Sequence, residues 1–563
     1  MALSTLLKGL MKSNIKIVIW LIIFALIVSL PILHAGFFGG DDPLNSSAIG
    51  AVKALHLNIW QYTVQNDLGI SLSQRRIFLF GFTSMPLFYY FPDSTQVQIV
   101  RLIFIWASLI SVAWLVGLLT KNIKASFGFI LLIPLFWSIR NFGDPLVSYG
   151  LALQLLVLFM MLSLVGYVQF HEKKHWLWLL GSIISYALAV LIYEPGITTF
   201  FCLMILVWFK RDSIQQFLLC MLPYVLLTLI YGVACLIVRH HAALYNGVAV
   251  GHFDFKVILT FLYQLTAPFP LDYGILSGHF FKPIVFVQFF TKPDSVVCLA
   301  ILAVVSYQLF KALLPQLRLD HKSRRLLTVL ALPLCIIPAL LIAITEKYRD
   351  VLAWGLAYLP IYIEYIGFTL LLLVCLSKIK NTQKKWPAAL FSLLICMSFI
   401  FNTYSVNREN DHFKYPRILQ VEAFQQGLLQ NVPSNALVLS KNFWVSSNFF
   451  LQNANVSLQS FNLTLQSGQV NLKNQPVYFM LTQNVPFTVN GTVTLGRVTA
   501  LDYVLMDDQE KVSGMTFQDV RVFSAFGHEK KMIGLPGVQH VVVSWQCIPH
   551  SEAPCFSFLN KGP

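Results

Sequence analysis

Long apolar runs alternate with short polar or aromatic breaks along the first 404 residues. The runs fall at 15–33, 97–119, 124–139, 147–169, 175–193, 196–209, 216–238, 295–313, 325–345, 351–377 and 386–404. Most are about 18 to 25 residues long, the length a helix needs to cross roughly 30 Å of hydrocarbon. In that medium a run satisfies its own backbone hydrogen bonds only as a helix. The pattern predicts a mainly α fold, a polytopic transmembrane bundle of about 11 spans over residues 1–404.

Two stretches break the pattern. Residues 76–91 are apolar but short and interrupted by Pro and Gly, and carry an aromatic belt of Phe88, Tyr89, Tyr90 and Phe91. Residues 255–290 are rich in Phe, Pro and Tyr. Both read as interfacial or re-entrant elements, the first in a loop over 34–96 and the second in a loop over 239–294. After Tyr404 the composition turns to Asn, Gln, Ser and alternating Val, as in Gly491-Thr-Val-Thr-Leu. That predicts a C-terminal domain, 405–563, of α+β or mainly β structure. Within it, Ile418, Val421, Phe424 and Leu428 share one stripe of an amphipathic helix over 414–430.

Composition agrees: 56% of residues are hydrophobic and 12% are charged, about half the charge of an ordinary soluble domain. The net charge of +15 sits mostly in the connections between spans. One set of span ends carries eighteen Lys and Arg, from Lys8 through Lys121, Lys173, Lys210 and Arg318 to Lys385, and the opposite set has no comparable density. By the positive-inside rule the N-terminus is cytoplasmic. Both loops and the C-terminal domain then face the periplasm or a lumen, with a bacterial inner membrane as the expected setting. The basic residues form no stripe with interleaved aromatics, so nucleic acid is excluded as a partner. The segment Leu30-Pro31-Ile32-Leu33-His34-Ala35-Gly36 lacks a small-x-small cleavage site, so the first span reads as uncleaved.

Seven of nine cysteines lie inside apolar runs as small hydrophobes. Cys547 and Cys555 lie in the tail, where an oxidising compartment would let a disulfide close the short loop between them. Four Asn-x-Ser/Thr sites, at Asn45, Asn455, Asn462 and Asn490, fall on the expected outer side.

Candidate chemistry begins directly after the first span, in Gly36-Phe37-Phe38-Gly39-Gly40-Asp41-Asp42-Pro43. Two adjacent carboxylates on a glycine-loosened backbone suit a divalent cation, or a general base tuned by its neighbour. The same residues also suit a solvated loop start, with Asp42-Pro43 opening a turn. The acidic pair in the first outer loop, a cytoplasmic N-terminus, about eleven spans, a re-entrant element and an outer C-terminal domain together resemble the C-type glycosyltransferase superfamily. That resemblance implies transfer of a sugar from a lipid-linked donor, a polyprenyl phosphate, to an acceptor on the outer face. It also implies that Asp41 or Asp42 serves as base or contacts a divalent metal such as Mg or Mn.

A lipid-phosphate donor calls for cations near the membrane surface, and Arg75, Arg76, Arg140, Lys347 and Arg349 are candidates, with Glu346 in the same charged cluster as the last two. Each alone also suits a side chain snorkelling to the headgroups. Glu194, in Tyr193-Glu194-Pro195, and Asp144, with Arg140 as a local partner, are acids at costly depth and candidate substrate contacts; Glu364 is a third such acid. His240, His241, His252 and Asp254 fit no zinc spacing. Two rival classes remain: a transporter or flippase for lipid-linked saccharide, and a non-enzymatic envelope assembly protein that works through its C-terminal domain.

Overall fold

The computed structural model describes residues 2–36, 42, 45, 48, 52, 56–74, 77, 79–91, 94–140, 144–210, 213–241, 253–276, 278, 282–378 and 385–410. In the tail it describes the strands 437–440, 477–480, 485–489, 492–496, 502–506, 512–524 and 539–548, by backbone alone. Asp41, Arg75, Arg76, Cys555 and the helix expected over 414–430 lie outside these residues, and Cys547 contributes only backbone.

The described bundle is mainly helical. In chain order its helices are α1 (Ala2–His34), α2 (Ile59–Gln74), α3 (Phe80–Tyr90), α4 (Ser94–Thr120), α5 (Ile123–Leu132), α6 (Ala152–Lys173), α7 (Trp176–Ile192), α8 (Thr198–Lys210) and α9 (Ile214–His241). They continue as α10 (Phe255–Thr266), α11 (Asp272–Leu276), α12 (Pro283–Phe290), α13 (Pro293–Leu313), α14 (His321–Ile344), α15 (Glu346–Arg349), α16 (Ile361–Ser377) and α17 (Lys385–Glu409). Seven segments are long and apolar enough to cross a membrane: Ile15–His34 in α1, Thr95–Thr120 in α4, α6, Ile214–Val238 in α9, Pro293–Gln316 beginning with α13, α14 and α17. The protein is an integral membrane protein on this ground. Peripheral α9 exposes Leu218, Leu222, Leu226, Leu229 and Val233, a surface suited to hydrocarbon rather than water.

Four other apolar runs form shorter helices. The run at 124–139 breaks after α5 and a 3-10 turn over Ile133–Leu135. Pro134 has no N–H for the carbonyl of Ile130, which weakens the helix where it ends. The chain then runs without regular secondary structure from Trp137 to Arg140. Non-helical backbone at membrane depth survives only where protein satisfies it, and α17 does so here. Ser398 Oγ donates to the carbonyls of Pro134 (3.2 Å) and Trp137 (3.0 Å). Asn402 donates to Trp137 O (3.3 Å) and accepts from the amide of Ile139 (2.8 Å). The run at 351–377 also splits, because residues 351–360 form turns and α16 begins only at Ile361.

The short helices expected in the loops over 34–96 and 239–294 are present. In α3, which is 11 residues long, Phe80, Met85, Leu87 and Phe88 are buried. Its N-cap, Leu79, has no side-chain acceptor. Asp67 of α2 supplies one from 14 residues away, accepting from the amides of Gly81 (3.0 Å) and Phe82 (3.2 Å), so its charge meets the positive end of the helix. A Cβ at position 81 would overlap that carboxylate. Burial pushes the Asp67 carboxyl up to about 6, against these two bonds. Helix α2 itself was not expected. It buries Ile59, Thr63 and Asp67 and exposes Trp60, Val64 and Leu68. In the second loop, α10 buries Val257, Thr260 and Gln264 and exposes Phe255, Ile258 and Leu262, an amphipathic helix of the interfacial kind.

The core runs through the middle of the bundle, where Leu156, Met160 and Leu164 of α6 pack with Ile105, Leu109 and Val112 of α4 and Leu370 and Leu373 of α16. In the tail, the backbone strands β1 (Leu437–Ser440), β2 (Val477–Met480), β5 (Asp502–Met506), β6 (Val512–Ser524) and β7 (Gln539–Ile548) order as β2-β1-β5-β6-β7. β3 (Val485–Val489) and β4 (Thr492–Gly496) form an antiparallel pair. Asn490-Gly491 separates them in sequence, the dipeptide favoured in two-residue hairpins.

Candidate functional site

The chain between α5 and α6 carries two buried ion pairs. The first is local. Arg140 donates to Asp144 Oδ2 (3.0 Å), to Tyr365 Oη of α16 (2.7 Å), and to the carbonyls of Ser138 (2.8 Å), Ala267 (2.6 Å) and Gly355 (3.1 Å). One guanidinium thus ties together three non-helical segments and α16. Asp144 Oδ1 accepts from the amide of Leu146 (3.0 Å), and its carbonyl accepts from Val147 and Ser148, closing a tight turn. Burial pushes the Asp144 carboxyl up to about 6, against the pull of Arg140 and the Leu146 amide.

The second pair joins the loop after α1 to α4. Asp42 and Arg101 meet at 2.7 Å with both side chains fully buried. Arg101 also donates to Gln98 Oε1 (2.8 Å) and to the carbonyls of Val147 (2.6 Å) and Gly150 (3.0 Å). The other Asp42 oxygen accepts from the amide of Gly150 (2.7 Å), with the Tyr149 amide beside it. Tyr149 (φ 67°) and Gly150 (φ 56°) are both left-handed, and successive amides in such a bend form a small anion-binding concavity. Position 150 needs glycine twice over, for its φ and because a Cβ there would run into Ser84. Burial raises the Asp42 carboxyl above the usual carboxylate range, opposed by Arg101 and these amides.

The turn over 144–151 therefore holds Asp144 at one end and Asp42 at the other. The start of the loop after α1 is fixed as well: Gly36 donates to Asn410 Oδ1 (3.2 Å) and accepts from Gln98 Nε2 (3.2 Å). Gly36 and Asp42 are thus both anchored, and Asp41 is joined directly to the second anchor.

The other predicted site residues do not gather around this centre in one role. Arg140, expected to grip a donor phosphate, spends its donors inside the protein and acts as a tie. Arg349 donates to the carbonyls of Ala343 (3.2 Å) and Ile344 (3.0 Å) at the end of α14, where a cation meets the negative end of the helix. It also lies 3.8 Å from Asp254, the N-cap of α10. Glu346 and Lys347 are exposed on α15, and the Lys347 ammonium lies over the Tyr348 ring. Glu194 is partly exposed at the turn after α7. Glu364 is fully buried; one oxygen accepts from Gln264 Nε2 (2.8 Å), and the other has no partner among the described residues. Asn45 is buried, which removes it as a surface glycosylation acceptor.

Sequence reasoning missed Arg101, Asp67 and Gln264. Arg101 had a signal, since a guanidinium within an apolar run is costly unless paired. Asp67 and Gln264 had none beyond their polarity.

The expected metal does not fit Asp42. Both of its oxygens are committed, one to a guanidinium that would repel a cation, and hard divalent ions need several free oxygen ligands. No family model matches the chain, and no curated protein matches it.

Proposed function

We propose that the protein is a membrane glycosyltransferase that moves a sugar from a polyprenyl-phosphate donor to an acceptor on the outer face. The observation that carries this reading is the burial of Asp42, one member of the acidic pair. Asp42 is consumed as a buried anchor, which leaves Asp41, one peptide bond away, as the carboxylate presented for chemistry. In the step we assign, Asp41 takes the proton of the acceptor hydroxyl. That oxygen then bonds to the anomeric carbon, the bond from this carbon to the phosphate oxygen breaks, and polyprenyl phosphate leaves with the bonding electrons. Arg75, Arg76 and Lys347 supply the cations for the phosphate.

In this reading the four shorter helices α5, α7, α8 and α16 join the seven long segments as membrane elements, giving eleven. The N-terminus is cytoplasmic, and the tail is a periplasmic or lumenal domain, with a bacterial inner membrane as the setting. The test is Asp41→Asn, assayed for sugar transfer in membranes. We expect a loss of roughly 100-fold, the scale for removing a general base, at unchanged protein level. Full activity in a complementation assay would instead favour the assembly-protein reading.

A further inference from the structure

A helix on the surface of a water-soluble core turns its apolar side inward and its polar side outward. Two of the short helices do the reverse. In α2, Thr63 and Asp67, the latter its only charge, are buried beside Ile59, while Trp60, Val64 and Leu68 form an outward stripe at four-residue spacing. In α10, Thr260 and Gln264 are buried beside Val257, and Phe255, Ile258 and Leu262 face outward. The buried polar groups are used inside the protein, Asp67 to cap α3 and Gln264 to hold the Tyr358 backbone and Glu364. Charge on α10 is confined to its start: Asp254 caps it, Lys256 pairs with the exposed Asp350 (2.8 Å), and residues 257–271 carry none. Uncharged α12 adds a third outward stripe, Ile284, Val287 and Phe290.

These stripes continue surfaces that face hydrocarbon. α2 packs against α9, and α12 against α13, which begins a spanning segment and exposes Val297, Ile301 and Val304. All three helices sit at one end of the bundle, around the stretch from Ile139 to Leu151. The Leu151 amide donates to Thr83 of α3, the helix that Asp67 caps (3.3 Å), and Arg140 donates to the carbonyl of Ala267, directly after α10 (2.6 Å). Phe286 of α12 meets Phe401 of α17 edge-on at 6.0 Å, beside the Asn402 that accepts from Ile139. At a rise of 1.5 Å per residue, α2 and α10 are roughly 24 Å and roughly 18 Å long, too short to cross about 30 Å of hydrocarbon. We propose that the outward faces of α2, α10 and α12 form a lipid-docking surface whose partner is the hydrocarbon edge of the single leaflet at this end of the bundle. The inference is independent of the glycosyl-transfer reading. Apolar side chains entering the boundary between headgroups and acyl chains bind in proportion to the area they bury, and an aromatic such as Trp60 suits that level. Lipid contact then holds the buried sides of α2 and α10 against the bundle, where Asp67 and Gln264 fix α3 and the turn before α16.

The test places the photoreactive residue benzoylphenylalanine, one position at a time, in the full-length protein reconstituted into vesicles of palmitoyl-oleoyl phosphatidylcholine. The positions are Val64, Leu68, Ile258, Leu262, Ile284 and Val287, all outward-facing. Leu26, exposed within the first spanning segment, gives the yield expected for a side chain in lipid, and the exposed Glu346 gives the yield for one in water. After irradiation, intact mass spectrometry reads the addition of one phospholipid. The six positions should form the lipid adduct at the yield of Leu26, and Glu346 should not. Yields at the level of Glu346 overturn the proposal. So does capture of protein instead of lipid, read as a dimer band for a second copy or as an internal cross-link for the tail of the same chain. Each helix is probed at two positions, so a variant that fails to fold leaves the other to decide by the same readout.

Discussion

Asp41 and Asp42 are equivalent as a dipeptide; the fold gives Asp42 a buried partner. Asp42 balances a fully buried guanidinium, and removing one member of such a pair costs about 3 to 5 kcal/mol, because the charge left behind has neither partner nor water. Asp42→Asn should therefore lower unfolding stability in detergent by that amount, whereas Asp41→Asn should change it by less than about 0.5 kcal/mol. Equal stability of the two variants would remove the anchor role. The sequence shows Arg101 as a costly charge in an apolar run, but not its partner, which lies 59 residues away. Arg140 and Asp144 are the opposite case. Four residues apart, they were legible as a pair, yet the carbonyls of Ala267 and Gly355 that consume the guanidinium come from distant turns and leave no trace in local pattern.

At the scale of elements, hydrophobic runs locate helices well and their ends poorly. The run at 124–139 reads as one span, but the helix ends at Pro134 and the remainder is irregular backbone supported by Ser398 and Asn402. Asn402→Ala would strand the Ile139 amide and remove one of two donors to the Trp137 carbonyl, which keeps Ser398. We expect a cost of about 1 to 3 kcal/mol per buried group left unsatisfied, read as a lower unfolding midpoint; an unchanged midpoint would show that this contact is dispensable. Helix α3 teaches the same lesson at its other end. Its capping acceptor, Asp67, belongs to another helix, so a search for a cap beside Leu79 finds nothing.

For the whole molecule, the layout of apolar runs was the most legible feature, because length and hydropathy are properties of the sequence itself. Orientation rests on charge bias alone, and the rule yields a direct expectation. A reporter active only outside the cytoplasm should be active when fused after Pro563 and inactive after Lys380. The reverse pattern would move Asp41 to the cytoplasmic side and withdraw its role. Three-dimensional convergence was not legible: Asp42, Arg101 and Gly150 share no spacing, and only the folded chain brings them together. The support that α17 gives to the irregular segment after α5 also has a consequence in time. Trp137 is made 261 residues before the Ser398 that satisfies its carbonyl. At about 5 to 20 residues per second, that is roughly 13 to 50 seconds during which the segment is in the membrane without its partner. The insertion machinery must shelter this stretch from lipid until the last span arrives, so the bundle closes from its C-terminal end back onto its beginning.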